Sequence, residues 1–494
     1  MCIRDRPDIR GASFKDDPDE KVADLHYART GEYATGHGVA CDWEVHDGAC
    51  RVVRTTWIPA ATVAATRTAS IPGVTLDMAA LAELDGPDAV RSALSSLVDR
   101  YREWIAARDG DNPDPGTPLG QQRAEVAAAL LARAGAAADR IARGIDVLAE
   151  DPDALDAFRV ANRAVRDALA RRMPGGPPPA WRAFQLAFIL LTLPGIARPS
   201  DPLAGREAVD LLFFPTGGGK TEAYLGLAAF TMVLRRLRAR GATGAVGVGG
   251  AGVAVFMRYT LRLLTLDQLG RAAGLVCALE LIRSADPQRY GTWPFEIGLW
   301  VGQAATPNVI GQKGDGNPNS AHAKLAAFQA NPGGHPSPIP IEECPWCFTK
   351  FTPASFTISD AGGSPTLKVT CANPDMACEF LGARALPIVG VDEPIYRRLP
   401  AFLIATIDKF ASLPWVGQSG ALLGGATRHD ASGFYGPSEP TVGAPLTHPL
   451  APPDLVIQDE LHLITGPLGT VAGLYETAID ALCTREVNGV SIRP

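Results

Sequence analysis

At 494 residues, 46% of them hydrophobic, the chain exceeds the roughly 250–300 residues at which single hydrophobic cores stop growing, so two or three domains are expected. Its formal charge of −7 excludes a uniformly basic nucleic-acid coat, although a local basic stripe could still grip a phosphate track. No basic leader precedes an apolar core, and the longest apolar stretch, around Phe184 to Ala197, is interrupted by Gln185 and Pro194 and falls short of the ~20 residues a membrane span needs; a cytoplasmic protein with no membrane partner is predicted.

Met1 to Arg6 looks like adapter read-through from a metagenomic assembly and is assigned no role. Short runs such as Arg51-Val52-Val53-Arg54 and a turn at Asp47-Gly48 predict a small β-rich module over 1–72. Cys41, Cys50, His37 and His46 fall within it without ligand-like spacing and read as scattered residues. From Leu76 the pattern is helical, with Ala-, Leu- and Arg-rich segments near 88–108, 119–149 and 152–172, giving a helical accessory domain over 73–173. Its arginines, Arg163, Arg166, Arg171 and Arg172 among them, read as a solvated face or as a DNA-facing one. Pro174 to Pro179 marks the boundary before a third region, 174–494.

Val209-Asp210-Leu211-Leu212-Phe213-Phe214 reads as a buried parallel strand, and Glu222 to Arg240 carries apolar residues at helical spacing. Between them, Pro215-Thr216-Gly217-Gly218-Gly219-Lys220-Thr221 has the composition of a phosphate-binding loop. Its glycines let the backbone wrap a polyphosphate, and their N–H groups join a helix N-terminus in binding anionic oxygens. Lys220 is expected to reach the β- and γ-phosphates of ATP, and the Thr221 hydroxyl to hold Mg²⁺. The first glycine of the general pattern is replaced by Phe214. Arg235, Arg236, Arg238 and Arg240 close the following helix and complement its C-terminal dipole.

A second apolar run, Leu455-Val456-Ile457-Gln458, delivers Asp459 and Glu460 as a parallel strand delivers acidic residues at its carboxyl edge. Asp459 is expected to bind Mg²⁺ and Glu460 to polarise an attacking water. These motifs lie 459 − 220 = 239 positions apart, more than one nucleotide-binding core requires, so an insertion over 306–395 is predicted. Cys344-Pro345-Trp346-Cys347 with Cys371 and Cys378 supplies two thiol pairs suited to a tetrahedral Zn²⁺ site in a ribbon over 344–378, a redox pair being the rival reading. Four of nine cysteines in ligand-like pairs fit a reducing compartment. The segment 414–453, rich in Gly, Pro, Ser and Thr, is expected to be a long gate or DNA-responsive loop; unchanged DNA dependence after its deletion would refute that.

The order of these pieces resembles superfamily 2 helicases. Thr-Gly-Gly-Gly-Lys-Thr matches their phosphate loop, and Asp459-Glu460-Leu461-His462 looks like a DExH box. The resemblance implies a RecA-like α/β domain and gives His462 a relay role between nucleotide state and the rest of the motor. Val253 to Met257 reads as a buried strand ending in Arg258-Tyr259-Thr260-Leu261-Arg262, and Phe402 to Ile404 as another ending in Ala405-Thr406-Ile407-Asp408-Lys409. By resemblance, Arg258, Thr260, Arg262, Thr406 and Lys409 grip a nucleic-acid backbone; the rival reading of each group is an ordinary capped helix start. Trp181-Arg182-Ala183-Phe184-Gln185 resembles the element that reads adenine, with Gln185 as cofactor ligand or, alternatively, as a buried glutamine bonded to backbone. With Gly298-Leu299-Trp300-Val301-Gly302 and the Cys-Pro-x-Cys ribbon, the whole set is similar to the helicase subunit of DISARM-type bacterial anti-phage systems. That similarity implies an ATP-dependent DNA translocase working with a companion defence subunit and beside a DNA methyltransferase. Such a motor needs a second RecA-like domain with its arginine fingers, so a chain stopping at Pro494 is expected to be an incomplete ATPase with poor turnover. A phosphate-loop NTPase outside the helicases, and a zinc-stabilised, nucleotide-responsive DNA-binding fragment without turnover, are the alternatives.

Overall fold

The computed structural model describes residues 2–3, 17–29, 33–35, 37–47, 49–58, 70–110, 116–213, 218–241, 248–259, 262–303, 305–360, 364–375, 377–464, 466–487 and 489–494. Two compact units emerge, one formed by Met1–Ile71 with Leu97–Asp139, the other by Pro72–Ser96 with Arg140–Pro494. In the first, helix α1 (Pro18–His26) begins at Asp17, whose side chain accepts from Asp19 N. Strands β1 (Ala40–His46) and β2 (Ala49–Thr56) form an antiparallel hairpin turning at Asp47, which has φ 52°. The predicted helical segments are α2 (Gly86–Ala106), α3 (Pro118–Glu150) and α4 (Pro152–Arg172). Asp151 starts α4 by accepting from the N–H groups of Asp153 and Ala154, with Pro152 in the first helical position, where its missing N–H costs nothing.

The second unit is an α/β body. Helices α5 (Ala183–Ala197), α6 (Lys220–Arg238) and α7 (Arg262–Ala285) accompany a five-stranded parallel sheet. Its strands are β3 (Val255–Tyr259), β4 (Ile297–Trp300), β7 (Ile388–Val389), β8 (Phe402–Thr406) and β9 (Leu455–Gln458), arranged β9-β3-β8-β4-β7. The short antiparallel pair β5 (Phe356–Ser359) and β6 (Thr366–Val369) forms a separate two-stranded sheet in the cysteine-bearing segment between β4 and β7. Residues of β3, β4 and β8 are buried throughout, which is why these strands read as unbroken apolar runs rather than alternating ones. Phe256, Trp300, Leu403 and Phe410 form the centre of the core on one side of this sheet. Leu455 pairs with Val255 and Gln458 with Arg258, so Asp459 emerges at the carboxyl edge of the sheet, where parallel sheets hold their ligands.

Two expectations are corrected. Residues 209–213 do not form a strand: Val209, Leu211 and Phe213 are 95%, 71% and 90% exposed. An apolar run becomes a strand only where a neighbour pairs with it, and among the described residues β9 is hydrogen-bonded to β3 alone. Asp210 is instead held by both terminal nitrogens of Arg140, at 2.6 and 2.7 Å. The segment 414–453 is likewise not a structureless loop. It contains a 3₁₀ helix, Gly417–Leu423, and three paired short strands, and it buries Leu422, Phe434 and Leu450 in the sheet core.

At the opposite end of the sheet from Asp459, Asp454 accepts from Arg235 at 3.0 Å and from Arg485 at 2.8 Å. Arg235 also donates to the carbonyls of Val253, Pro452, Ala251 and Ala451, tying the entries of β3 and β9 to α6. Burial alone would raise the Asp454 carboxyl, but the two guanidinium groups outweigh it and hold it below its ordinary value. A depressed folded pKa contributes stability that is complete above the ordinary aspartate range near about 4 and is lost as pH falls through the folded value. Asp454→Ala is therefore expected to cost about 3–5 kcal/mol, because Arg235 stays buried without its counter-charge. Denaturant titrations at pH 7 and pH 3 check this, with the gap between wild type and variant narrowing at the lower pH.

Candidate functional site

The amino end of α6 meets the carboxyl end of β9. Gly219 caps α6 with φ 89°, a left-handed conformation that favours glycine. A Cβ there would also lie 2.8 Å from Gln185 Nε2. Lys220 opens the helix and Thr221 is buried one residue later. The turn is held from behind by the start of α5. Gln185 Oε1 accepts from Arg182 N at 2.7 Å, Gln185 Nε2 donates to Gly219 O at 2.7 Å, and Arg182 Nη1 donates to Gly218 O. Trp181 anchors the same helix start, donating from Nε1 to Asn162 Oδ1 at 2.7 Å and packing where α6 has Gly226. Gln185 is thus engaged with backbone on both sides of its amide, the second of its two expected roles, and it supports the glycine turn.

Across from this turn, Tyr224 is the central group. Its hydroxyl donates to Asp459 Oδ2 at 2.9 Å and lies 3.1 Å from Thr221 Oγ1 and 3.4 Å from Tyr259 Oη. Burial, then the Asp459 charge, push this phenol far above its ordinary range, so it remains a neutral donor. Gln268 of α7 donates to Thr221 Oγ1 at 3.3 Å, while its buried Oε1 has no hydrogen-bond partner among the described residues. Asp459 Oδ1 accepts from Glu460 N at 2.9 Å. Glu460 itself sits at φ 50°, ψ 45°, starting a 3₁₀ turn, Leu461–Leu463. A non-glycine residue there is unusual and concentrates at functional sites. A hydroxyl, a carboxylate and an unsatisfied amide oxygen make an all-oxygen set suited to Mg²⁺.

A second cluster lies in the segment between β4 and β7. The Sγ atoms of Cys344, Cys347, Cys371 and Cys378 all fall within 4.8 Å of one another, with Cys344–Cys378 at 3.9 Å and Cys347–Cys371 at 3.3 Å. A Zn²⁺ with Zn–S bonds of ~2.3 Å sets tetrahedral sulfurs ~3.8 Å apart, so the four thiols fit that ion. Burial pushes Cys344 and Cys371 up and Cys378 to about 12; burial would raise Cys347 too, but hydrogen bonds with Thr349 bring it to about 7. Protons are thus held on thiols that a bound cation would displace. The knuckle turns on Phe348, φ 61°, with Phe348 N donating to Cys344 O and Cys344 N to Thr349 O, each at 2.8 Å. The cluster is seated against helices. A Cβ on Gly274 of α7 would come within 3.1 Å of Pro345 O, Arg171 of α4 lies 4.7 Å above the Trp346 ring, and both Arg171 and Trp346 Nε1 donate to Glu379 at 2.6 Å.

Over 442 residues, 84% of its length, the chain is 35% identical to the DISARM protein DrmA of Bacillus paralicheniformis. It is a homologue of DrmA. The chain spans 37% of that relative's length. No family model matches the sequence.

In this DrmA homologue the remaining predicted residues divide. Thr216, Gly217 and Thr260 lie outside the described residues, as do the side chains of Arg262 and His462. Arg258, Thr406 and Lys409, expected to face a nucleic-acid strand, are 5%, 5% and 9% exposed. Arg258 donates to Glu476 at 2.9 Å on α8 (Gly466–Cys483). Lys409 donates to Asp392 and, at 3.1 Å, to Asn308 Oδ1, while Thr406 Oγ1 is buried without a partner among the described residues. A cation beside a fully buried strand needs a counter-charge, and Asp392, 17 positions upstream, supplies it. Tyr224 and Gln268 are not among the residues expected at the site. The available signal for Tyr224 is its i,i+3 spacing from Thr221, which puts both on one helix face. Among the described residues no helix is long and apolar enough to cross a membrane.

Proposed function

We propose that this chain binds Mg·ATP at the junction of α6 and β9 and is the nucleotide-hydrolysing part of a DNA translocase, or helicase, acting in DISARM-type anti-phage defence. The observation carrying the reading is Thr221 and Asp459 meeting at one hydroxyl although 238 positions apart, 459 − 221. Gly218, Gly219 and the first turn of α6 present backbone N–H groups to phosphate oxygens, and Lys220 pairs with the β- and γ-phosphates. Thr221 and Asp459 would hold Mg²⁺, which when bound neutralises charge on the phosphates. Glu460 orients the attacking water and takes up its proton. Similarity to the DISARM protein DrmA supports a DISARM system context; DNA as partner, a companion defence subunit and a DNA methyltransferase are carried by the helicase resemblance of the motifs. The four cysteines would hold Zn²⁺ as a structural ion, fixing the knuckle against α4 and α7.

Binding of a fluorescent ATP analogue and ATP hydrolysis, each with and without duplex and single-stranded DNA, test the proposal. Lys220→Ala is expected to weaken nucleotide binding at least about tenfold, since it removes a charge-assisted contact. DNA is expected to stimulate hydrolysis in the wild type and not in the variant. Hydrolysis indifferent to DNA would transfer the site to a non-helicase NTPase; nucleotide binding unaffected by Lys220→Ala would remove the assignment altogether.

A further inference from the structure

The Tyr224 hydroxyl is within hydrogen-bond reach of both oxygens assigned to the metal. It lies 2.9 Å from Asp459 Oδ2 and 3.1 Å from Thr221 Oγ1. A magnesium ion bridging those atoms needs both at ~2.0–2.1 Å. The phenol and the ion therefore compete for the same two oxygens. A vacating hydroxyl has a waiting neighbour in Tyr259 Oη, 3.4 Å away, itself donating to Met257 Sδ at 3.5 Å. Asp459 also holds the turn that carries Glu460, through Oδ1 and the Glu460 N–H at 2.9 Å. A change at Oδ2 is thus transmitted over one residue to the carboxylate assigned to water activation.

We propose that Tyr224 is a metal-displaced latch: its hydroxyl ties Asp459 to Thr221 when no cation is bound, and releases Asp459 when a divalent cation takes both oxygens. The proposal rests on the nucleotide-site reading above. In it Tyr224 is a positioning residue that delays completion of the site until metal and nucleotide arrive together. The latch opposes metal entry, because the charge-assisted hydrogen bond to Asp459 must break first. Removing the hydroxyl alone, with the ring left in place, relieves that opposition without emptying the pocket.

The test is a Mg²⁺ titration of fluorescent ATP-analogue binding to the full chain, comparing wild type with Tyr224→Phe and Tyr259→Phe. Tyr224→Phe is expected to lower the half-saturating Mg²⁺ concentration about tenfold, the worth of one hydrogen bond to a charged group. Tyr259→Phe, which removes a contact to Tyr224 and a secondary hydrogen bond to Asp459 but leaves the 2.9 Å Tyr224–Asp459 bond in place, is expected to shift it less. A separate measurement needs no variant to fold: Mg²⁺ with a non-hydrolysable ATP analogue should perturb the ultraviolet absorption of a buried tyrosine in the wild type. An unchanged or raised Mg²⁺ requirement in a Tyr224→Phe protein that melts like the wild type overturns the latch alone. An absent tyrosine signal on wild-type binding does the same. If wild-type nucleotide binding is independent of Mg²⁺, the metal assignment to Thr221 and Asp459 falls and the latch with it.

Discussion

Cys344→Ser is expected to abolish stoichiometric zinc and expose residues 339–386 to protease, while nucleotide binding at Lys220 stays within about twofold of wild type. The first half follows from how little else holds that segment. Among its described residues the regular structure is one pair of four-residue strands, Phe356–Ser359 with Thr366–Val369, and a 3₁₀ turn, Pro353–Ser355, and small metal-stapled modules draw about 10–16 kcal/mol from their ion. The aromatic contacts Phe351–Phe356 and Trp346–Phe380, with ring centroids 5.3 and 6.3 Å apart, contribute only about 0.5–1.5 kcal/mol each beyond burial. Serine keeps the shape of the side chain but supplies no thiolate, so the loss is one of metal and not of packing. The second half follows from the separation of the two sites. The groups around Lys220 come from α5, α6, α7 and β9, and the ribbon reaches α7 at Gly274 rather than at Gln268, the residue that touches Thr221. Elemental analysis, limited proteolysis and nucleotide titration on the same preparation check all three statements. A variant that kept one zinc per chain and resisted protease would show that the four thiols do not share an ion. A fall in nucleotide affinity beyond tenfold would mean that the ribbon shapes the glycine turn through α7.

Features set by short-range spacing are legible in the amino-acid sequence. Two cysteine pairs of ligand-like spacing predict a four-thiol cluster, because ligand spacing within a knuckle is a local property. The run from Gly217 to Thr221 predicts a helix opening at a glycine turn, and α6 does begin at Lys220 behind Gly219. The features that differ depend on distant neighbours. Val209 to Phe214 has the composition of a strand, yet composition cannot say whether another strand pairs with it. Arg258 and Lys409 read as outward-facing because charge reads as solvated; their counter-charges, Glu476 and Asp392, lie 218 and 17 positions away. Segment 414–453 reads as open loop because it is rich in Gly, Pro, Ser and Thr, but Leu422, Phe434 and Leu450 are enough to bury it. Tyr224 is hidden in an amphipathic helix, where an aromatic residue is by default core.

Glu460→Gln is expected to lower ATP turnover about 10³-fold while leaving nucleotide affinity and melting temperature close to wild type, within the 10²–10⁴-fold range of a positioned general base. Glutamine has the size of glutamate and keeps the 3₁₀ turn, but it cannot take a proton from water. Lys220→Ala, by contrast, should lose affinity. A further variant separates chemistry from backbone. Glu460 occupies φ 50°, ψ 45°, and a non-glycine residue held in such a region costs about 1 kcal/mol or more. Glu460→Gly at that position should relieve the strain and leave the protein as stable as wild type or about 1 kcal/mol more so, offset in part by the entropy of a freer unfolded chain. It should nonetheless be as inactive as the glutamine variant. Single-turnover hydrolysis with thermal unfolding of all three proteins decides between the possibilities. If Glu460→Gly unfolds earlier by several kcal/mol, the glutamate side chain is holding the turn and the left-handed backbone is not strained. If Glu460→Gln hydrolyses ATP at the wild-type rate, water activation belongs to another group and Glu460 is a structural residue of the turn. Loss of turnover in both variants, with stability kept in both, would mean that the strained backbone is maintained for its carboxylate and for nothing in the fold.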